Sequence, residues 1–136
     1  MEDVIQRFNR IEWHDSKLRG VSLFTVGSEE QVKISLELLG EGSAYSPVEI
    51  TFRDCAYFEA EVYSHAKLQC SDDINGAACY ASSQWKTSVS EPGPFDPILG
   101  GRGLEDYLHF EIYLCVPGGI INILAKDFSL ETSSGG

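Results

Sequence analysis

The sequence predicts an all-β or β-dominated α+β domain, an antiparallel sandwich or strongly curved sheet with one short N-terminal helix. Three observations carry this expectation. Apolar and polar residues alternate with period two in several runs, most cleanly at Val32, Ile34, Leu36 and Leu38 against Gln31, Lys33, Ser35 and Glu37. Turn residues such as Gly27-Ser28 and Pro117-Gly118-Gly119 separate the runs, which suits hairpins. The clearest helical spacing is confined to the start, where Val4, Ile5, Phe8 and Ile11 form one stripe with Arg7 and Arg10 off it.

Taken in order, that stripe gives a short amphipathic helix. Leu18 to Val26, a turn over Gly27-Ser28-Glu29-Glu30 and the alternating run from Gln31 make a hairpin. Gly40 to Pro47 is punctuation. Val48, Ile50 and Phe52 begin a strand whose parity continues through Ala56, Phe58, Ala60 and Val62, with Asp54 as the polar interruption. A straight strand over all fifteen residues would run to ~50 Å, too long for a domain this small. A bend or bulge near Asp54-Cys55 is therefore expected. Residues 57–68 also fit a helix through Phe58, Val62 and Ala66, but strand is favoured.

Ser71 to Ser83 is small and polar, with Ser71 placed to cap a helix before Asp72 and Asp73. Gln84 to Val89 reads as a short strand. Ser90 to Gly103, with three prolines and four glycines, reads as a long loop. Leu108, Phe110, Ile112, Leu114 and Val116 then alternate with Tyr107, His109, Glu111, Tyr113 and Cys115. The final strand, Ile120 to Leu130, changes parity between Ala125 and Phe128, which predicts a bulge near Lys126. Residues 1–131 form one domain in this reading, and 132–136 a flexible end.

The chain has 136 residues, a formal net charge of −11 and 43% hydrophobic residues, enough for one real core. The acidity argues against a nucleic-acid or anionic-membrane partner, which would need a basic footprint, and reads either as solubility or as a surface complementary to a basic protein partner. No export signal or membrane-spanning run is visible, so a cytoplasmic protein is expected. Cys55, Cys70, Cys79 and Cys115 match no zinc or redox spacing and read as packed free thiols.

Trp13-His14-Asp15-Ser16 is the most distinctive string. Adjacent residues in an extended segment point to opposite faces, so it makes a poor triad. It reads better as a helix-to-strand junction, with Asp15 or Ser16 capping backbone groups and Trp13 sealing the core edge. His65 and His109 add no metal-ligand spacing, and neither a metal nor another cofactor is implied. The outward positions Arg53, Cys55, Tyr57, Glu59 and Tyr63, with Tyr107, His109, Glu111 and Tyr113, mix tyrosines with charge. They suit either a second packed layer or a partner-binding face.

The string from Trp13 to Leu18, the strand from Val48 to Cys55 and the hairpin end Ala125-Lys126-Asp127-Phe128 resemble small uncharacterised bacterial proteins. These share an aromatic-His-Asp-Ser opening, and some are regarded as immunity proteins of toxin systems. The resemblance implies an antiparallel β fold and supplies no catalytic residues. The leading functional expectation is a non-catalytic binding protein, immunity-like, with Arg53, Tyr57, Tyr63, Tyr107, His109, Glu111 and Tyr113 as the candidate surface. That face could also pair with a second copy in a homodimer. The alternative is a small hydrolase or metal-dependent enzyme using His14, Asp15 and His109.

Overall fold

The computed structural model describes residues 3–40, 44–62, 73–90, 104–115 and 119–132. A six-residue helix, α1 (Val4–Asn9), opens the chain, and Asp3 and Gln6 close a capping box around its first turn. Among the described residues eight strands follow: β1 (Lys17–Val26), β2 (Glu29–Leu39), β3 (Tyr45–Arg53), β4 (Tyr57–Val62), β5 (Ile74–Tyr80), β6 (Leu108–Leu114), β7 (Gly119–Ala125) and β8 (Asp127–Thr132). A second helix, α2 (Gln84–Ser90), lies between β5 and β6.

The strands form two four-stranded antiparallel sheets, one ordered β1-β2-β3-β8 and the other β4-β7-β6-β5. The β-dominated reading therefore holds, including the hairpin of β1 and β2. Inward side chains follow the predicted parity: Val32, Ile34 and Leu36 on β2, Val48, Ile50 and Phe52 on β3, Phe110, Ile112 and Leu114 on β6. Phe8 of α1 plugs one end of the sandwich. Its ring lies 5.0 Å from Phe110, 5.2 Å from Phe128 and 4.9 Å from Trp13.

The bend expected at Asp54-Cys55 and the bulge expected at Lys126 are two halves of one corner. β3 pairs with β8 in the first sheet, and β4 pairs with β7 in the second. The same two-stranded ribbon thus leaves one sheet and enters the other. Asp54, Cys55 and Ala56 lie opposite Ala125 and Lys126 between the ladders, so one extra residue makes the turn. Asp54 takes a left-handed backbone, φ 52°, and Lys126 donates its amide to the Arg53 carbonyl at 3.1 Å. Outside, Lys126 Nζ lies 3.3 Å from Asp54, while Asp127 accepts from Arg53 at 2.7 Å and from Arg7 of α1 at 2.9 Å.

Two local readings are corrected. Gln84 to Ser90 is helix, because Trp85 and Val89 stand four residues apart and both pack onto the second sheet. Trp85, Thr87 and Val89 also alternate with period two, which is the pattern that suggests a strand. Ile74 to Tyr80, inside the segment read as small and polar, is strand β5. Its Ile74 and Cys79 are buried, and the Asn9 side chain pairs with both backbone groups of Cys79, at 2.7 and 3.3 Å. Several expectations fall outside the described residues: the helix start at Ser71-Asp72, the 63–68 part of the strand-or-helix choice, Tyr63, His65, Cys70 and the loop over 91–103. So do residues 133–136; Thr132 ends β8. Among the described residues no helix is long and apolar enough to cross a membrane. Burial pushes the Cys55 thiol up to about 11 and the Cys79 thiol up to about 12, as befits packed thiols.

The left-handed backbone at the corner has a measurable consequence. Glycine adopts that conformation without strain, whereas a β-branched residue clashes there, at ~1–2 kcal/mol. Asp54→Gly should melt within about 0.5 kcal/mol of wild type, since the exposed pair with Lys126 is worth little. Asp54→Val should melt several degrees lower. Equal melting temperatures for the two variants would show that the backbone conformation at residue 54 does not matter.

Candidate functional site

The second sheet has two buried faces along part of its length. Register places Tyr57, Leu124, His109 and Tyr80 in one row across its outer side, and Glu59, Asn122, Glu111 and Ala78 in the next. α2 lies over the first row. Val89 packs with Tyr107 and Leu124, and the Trp85 ring stacks on the His109 imidazole at 4.4 Å and 29°. Tyr57 meets Trp85 from the other side at 5.8 Å.

His109 is 1% exposed and Asn122 4%, so both polar side chains need partners. They have them. His109 Nε2–H donates to Asn122 Oδ1 at 2.7 Å, which leaves Nδ1 as the acceptor. Ser83 donates its hydroxyl to that Nδ1, also at 2.7 Å. Ser83 precedes α2 and caps it as well: its Oγ accepts the Lys86 amide at 3.0 Å, and its carbonyl accepts the Thr87 amide at 3.0 Å. Ser83 sits at the edge of an open depression of about 420 Å³, shared with Ser82, Gln84, Thr87 and Ser88.

Beyond His109 the face becomes acidic and aromatic. Tyr80 donates to Glu111 Oε1 at 3.3 Å, and Tyr113 donates to the same oxygen. Glu111 Oε2 lies 3.9 Å from His109 Nε2. The hydrogen bond to Glu111 comes first in holding the Tyr113 hydroxyl well above the ordinary tyrosine range; burial and the carboxylate charge add to it. Tyr80 is raised mainly by burial, then by Glu111, and Tyr57 by burial and Glu59.

Of the residues expected to share one surface, the structure brings together Tyr57, His109, Glu111 and Tyr113. It separates Arg53, which lies in the first sheet on Asp127. Tyr107 and His109 lie beneath α2, while Tyr113 and Tyr80 are more than a third exposed. Reading the sequence missed Ser83 and Asn122. Asn122 stands alone among Ile120, Ile121, Ile123 and Leu124, and a polar residue in such a run is the one signal that could have exposed it. Nothing local marks Ser83.

Trp13-His14-Asp15-Ser16 is a junction, as expected, but Asp15 is not its cap. Trp13 is buried and donates its ring N–H to the Phe8 carbonyl at 3.2 Å. Ser16, fully buried, accepts the Leu39 amide on its hydroxyl at 3.0 Å, and its backbone carbonyl accepts the Ile74 amide at 2.7 Å. Asp15 has a left-handed backbone, φ 65°; its carboxylate points out and lies 3.2 Å from the neighbouring His14 ring. His14 and Asp15 rim a groove floored by Leu38, Leu39 and Val48 on the first sheet. His109 lies on the outer face of the second, so the trio His14, Asp15 and His109 is not assembled. Among the described residues no group of three or more His, Cys, Asp and Glu side chains could hold a metal ion.

No family model, curated protein or solved structure matches this chain.

The junction geometry separates the members of the string. Ser16→Ala strands the Leu39 amide and should cost ~1–3 kcal/mol. Asp15→Gly relieves a left-handed backbone and should melt at or slightly above wild type. A loss for Asp15→Gly as large as that for Ser16→Ala would restore Asp15 as the cap.

The raised tyrosines make a second test. A folded pKa above the unfolded value near ~10 means that the fold keeps protons the unfolded chain has released. That stability is complete below the unfolded pKa and is lost as pH rises through the folded value. Glu111→Gln removes the leading cause, so the Tyr113 phenol should titrate closer to the ordinary range, read as the rise of phenolate absorbance with pH. An unchanged late phase would assign the shift to something other than Glu111.

Proposed function

We propose that the protein is an interaction protein, immunity-like, that docks a basic protein partner on the outer face of its second sheet. The charge distribution carries this reading. Strands β4, β5, β6 and β7 contain no Lys or Arg, yet they bring Glu59, Glu61 and Glu111 to one face beside Tyr80 and Tyr113. The first sheet carries basic residues among its acids: Arg19 meets Glu37, Lys33 meets Glu49 and Arg53 meets Asp127. The nearest base on α2, Lys86, turns its ammonium back onto the Ala81 and Tyr107 carbonyls, at 2.8 Å each.

Carboxylates beside half-exposed tyrosines are a good surface for arginine, whose planar cation pairs with the acids and stacks on the rings. Such a face steers a basic partner more than it holds one, so association should be fast and salt-sensitive. The resemblance to small uncharacterised bacterial proteins, some of them regarded as immunity proteins of toxin systems, supports the same reading. A cytoplasmic protein, acting as a monomer or as a homodimer, is compatible with this role.

An octa-arginine peptide is a sufficient probe, followed by fluorescence anisotropy at low salt. Glu59→Lys with Glu61→Lys should weaken binding at least about tenfold, since each reversal acts directly on the docked charge. Glu30→Lys with Glu131→Lys, the same charge change on the first sheet, should leave most of the affinity. Equal loss in both double variants would mean that only net charge matters, and the assignment to this face would fail.

A further inference from the structure

We propose that Ser83 is an activated nucleophile, and that Ser83, His109 and Asn122 form an acyl-transfer site able to hydrolyse small acyl esters. This does not rest on the docking reading, and it concerns side chains at the α2 end of the sheet.

A serine hydroxyl is a weak nucleophile until a base within hydrogen-bond reach can take its proton, and the base works only when a third group fixes its tautomer and plane. Both conditions are met. Ser83 Oγ lies 2.7 Å from His109 Nδ1, and His109 Nε2 lies 2.7 Å from Asn122 Oδ1. The Asn122 oxygen can only accept, so it holds the proton on Nε2 and leaves the Nδ1 lone pair facing the hydroxyl. This is the division of roles in Cys-His-Asn and Ser-His-Asp enzymes, where nucleophile, base and orienting group are recognised by geometry and not by sequence order.

Helix capping alone does not account for the arrangement. A cap needs only an oxygen that accepts the Lys86 amide, and solvent can satisfy the rest of the hydroxyl. Here the hydroxyl proton faces a 1% exposed imidazole, braced by a 4% exposed asparagine and covered by the stacked Trp85 ring. The chain therefore buries a polar array whose serine, half-buried, lines the depression. Among the described residues the depression is lined by hydroxyls and one amide, without charge, which suits a short neutral acyl group.

In the first step Ser83 Oγ attacks the acyl carbonyl carbon. The Oγ–C bond forms as His109 Nδ1 takes the hydroxyl proton. The bond from carbon to the leaving oxygen then breaks, and that oxygen receives the proton from Nδ1. In the second step water attacks the acyl-serine carbon and gives a proton to Nδ1. The Oγ–C bond breaks, the proton returns to Ser83, and a carboxylic acid leaves. The other ring proton stays on His109 Nε2 throughout, donated to Asn122 Oδ1.

The test is covalent labelling of the whole protein with a fluorophosphonate probe, with the adduct placed by peptide mass spectrometry. Ser82 and Ser88 share the depression and are more exposed, so they serve as internal controls. The wild type should label at Ser83 at least about tenfold faster than at either, within the usual worth of a general base. His109→Gln, checked for folding by circular dichroism, should slow labelling by ~10²-fold or more, on the same ground. Asn122→Ala should slow it as well, and Ser83→Ala should abolish hydrolysis of p-nitrophenyl acetate above the rate in buffer. No preference for Ser83 in the wild type would overturn the proposal without any variant, which keeps it decidable if His109→Gln does not fold. Equal labelling in a folded His109→Gln protein would overturn it too. Failure of octa-arginine binding would leave these outcomes untouched.

Discussion

The fold depends on one corner, where a two-stranded ribbon passes from the first sheet to the second. Because β3 continues into β4 while its partner β7 continues into β8, neither strand can change sheets alone. A break in one without the other would leave a row of buried backbone groups unpaired, each costly in an apolar interior. The three residues opposite Ala125 and Lys126 let both turn together. The Phe52 and Phe128 pair is thereby set beside Phe110 of the facing sheet, at 4.9 and 5.9 Å. Asp127 then fastens the outside by holding Arg53 of the ribbon and Arg7 of the helix that closes the core.

Much of this was legible, because side-chain period and strand length are local quantities. The run from Val48 was too long for the domain, and the change of parity between Ala125 and Phe128 fixed the position of the second break. What could not be read was that the two breaks meet. They lie far apart along the chain, and alternation says which face a residue takes but not which strand lies beside it. β5 escaped for another reason. Ala77, Ala78 and Gly76 are too small to show a period, and the strand is held by its neighbour β6 and by Asn9 more than by its own side chains.

The junction string shows how one motif can divide between inside and outside. Trp13 and Ser16 face inward and bind the end of α1, the end of β2 and the start of β5 to one another. His14 and Asp15, the two residues that invited a catalytic reading, face solvent and pair with each other. The chemistry lies elsewhere, in residues whose separation along the chain left no pattern to find. Ser83, His109 and Asn122 come from a helix cap and two adjacent strands, and only the packing of α2 on the sheet makes them neighbours.

That packing also explains why the second sheet is the one with chemistry. A sheet in a sandwich normally buries one face and wets the other, and the first sheet does so, with Lys33, Glu49, Arg53 and Asp127 pairing across its outer side. On the second sheet α2 covers the end of the outer face near Leu124 and leaves the end near Tyr113 half-exposed. His109 falls where the cover stops. On one side it is dry enough for its two hydrogen bonds to hold a single tautomer; on the other it meets Glu111, whose oxygen receives two tyrosine hydroxyls. In a low-dielectric layer a polar network is stable only when every member is satisfied. The identity of residues 83, 109 and 122 is consequently far more constrained than that of the carboxylates around them. Glu59 stands at the edge strand in solvent, where a partner can meet it.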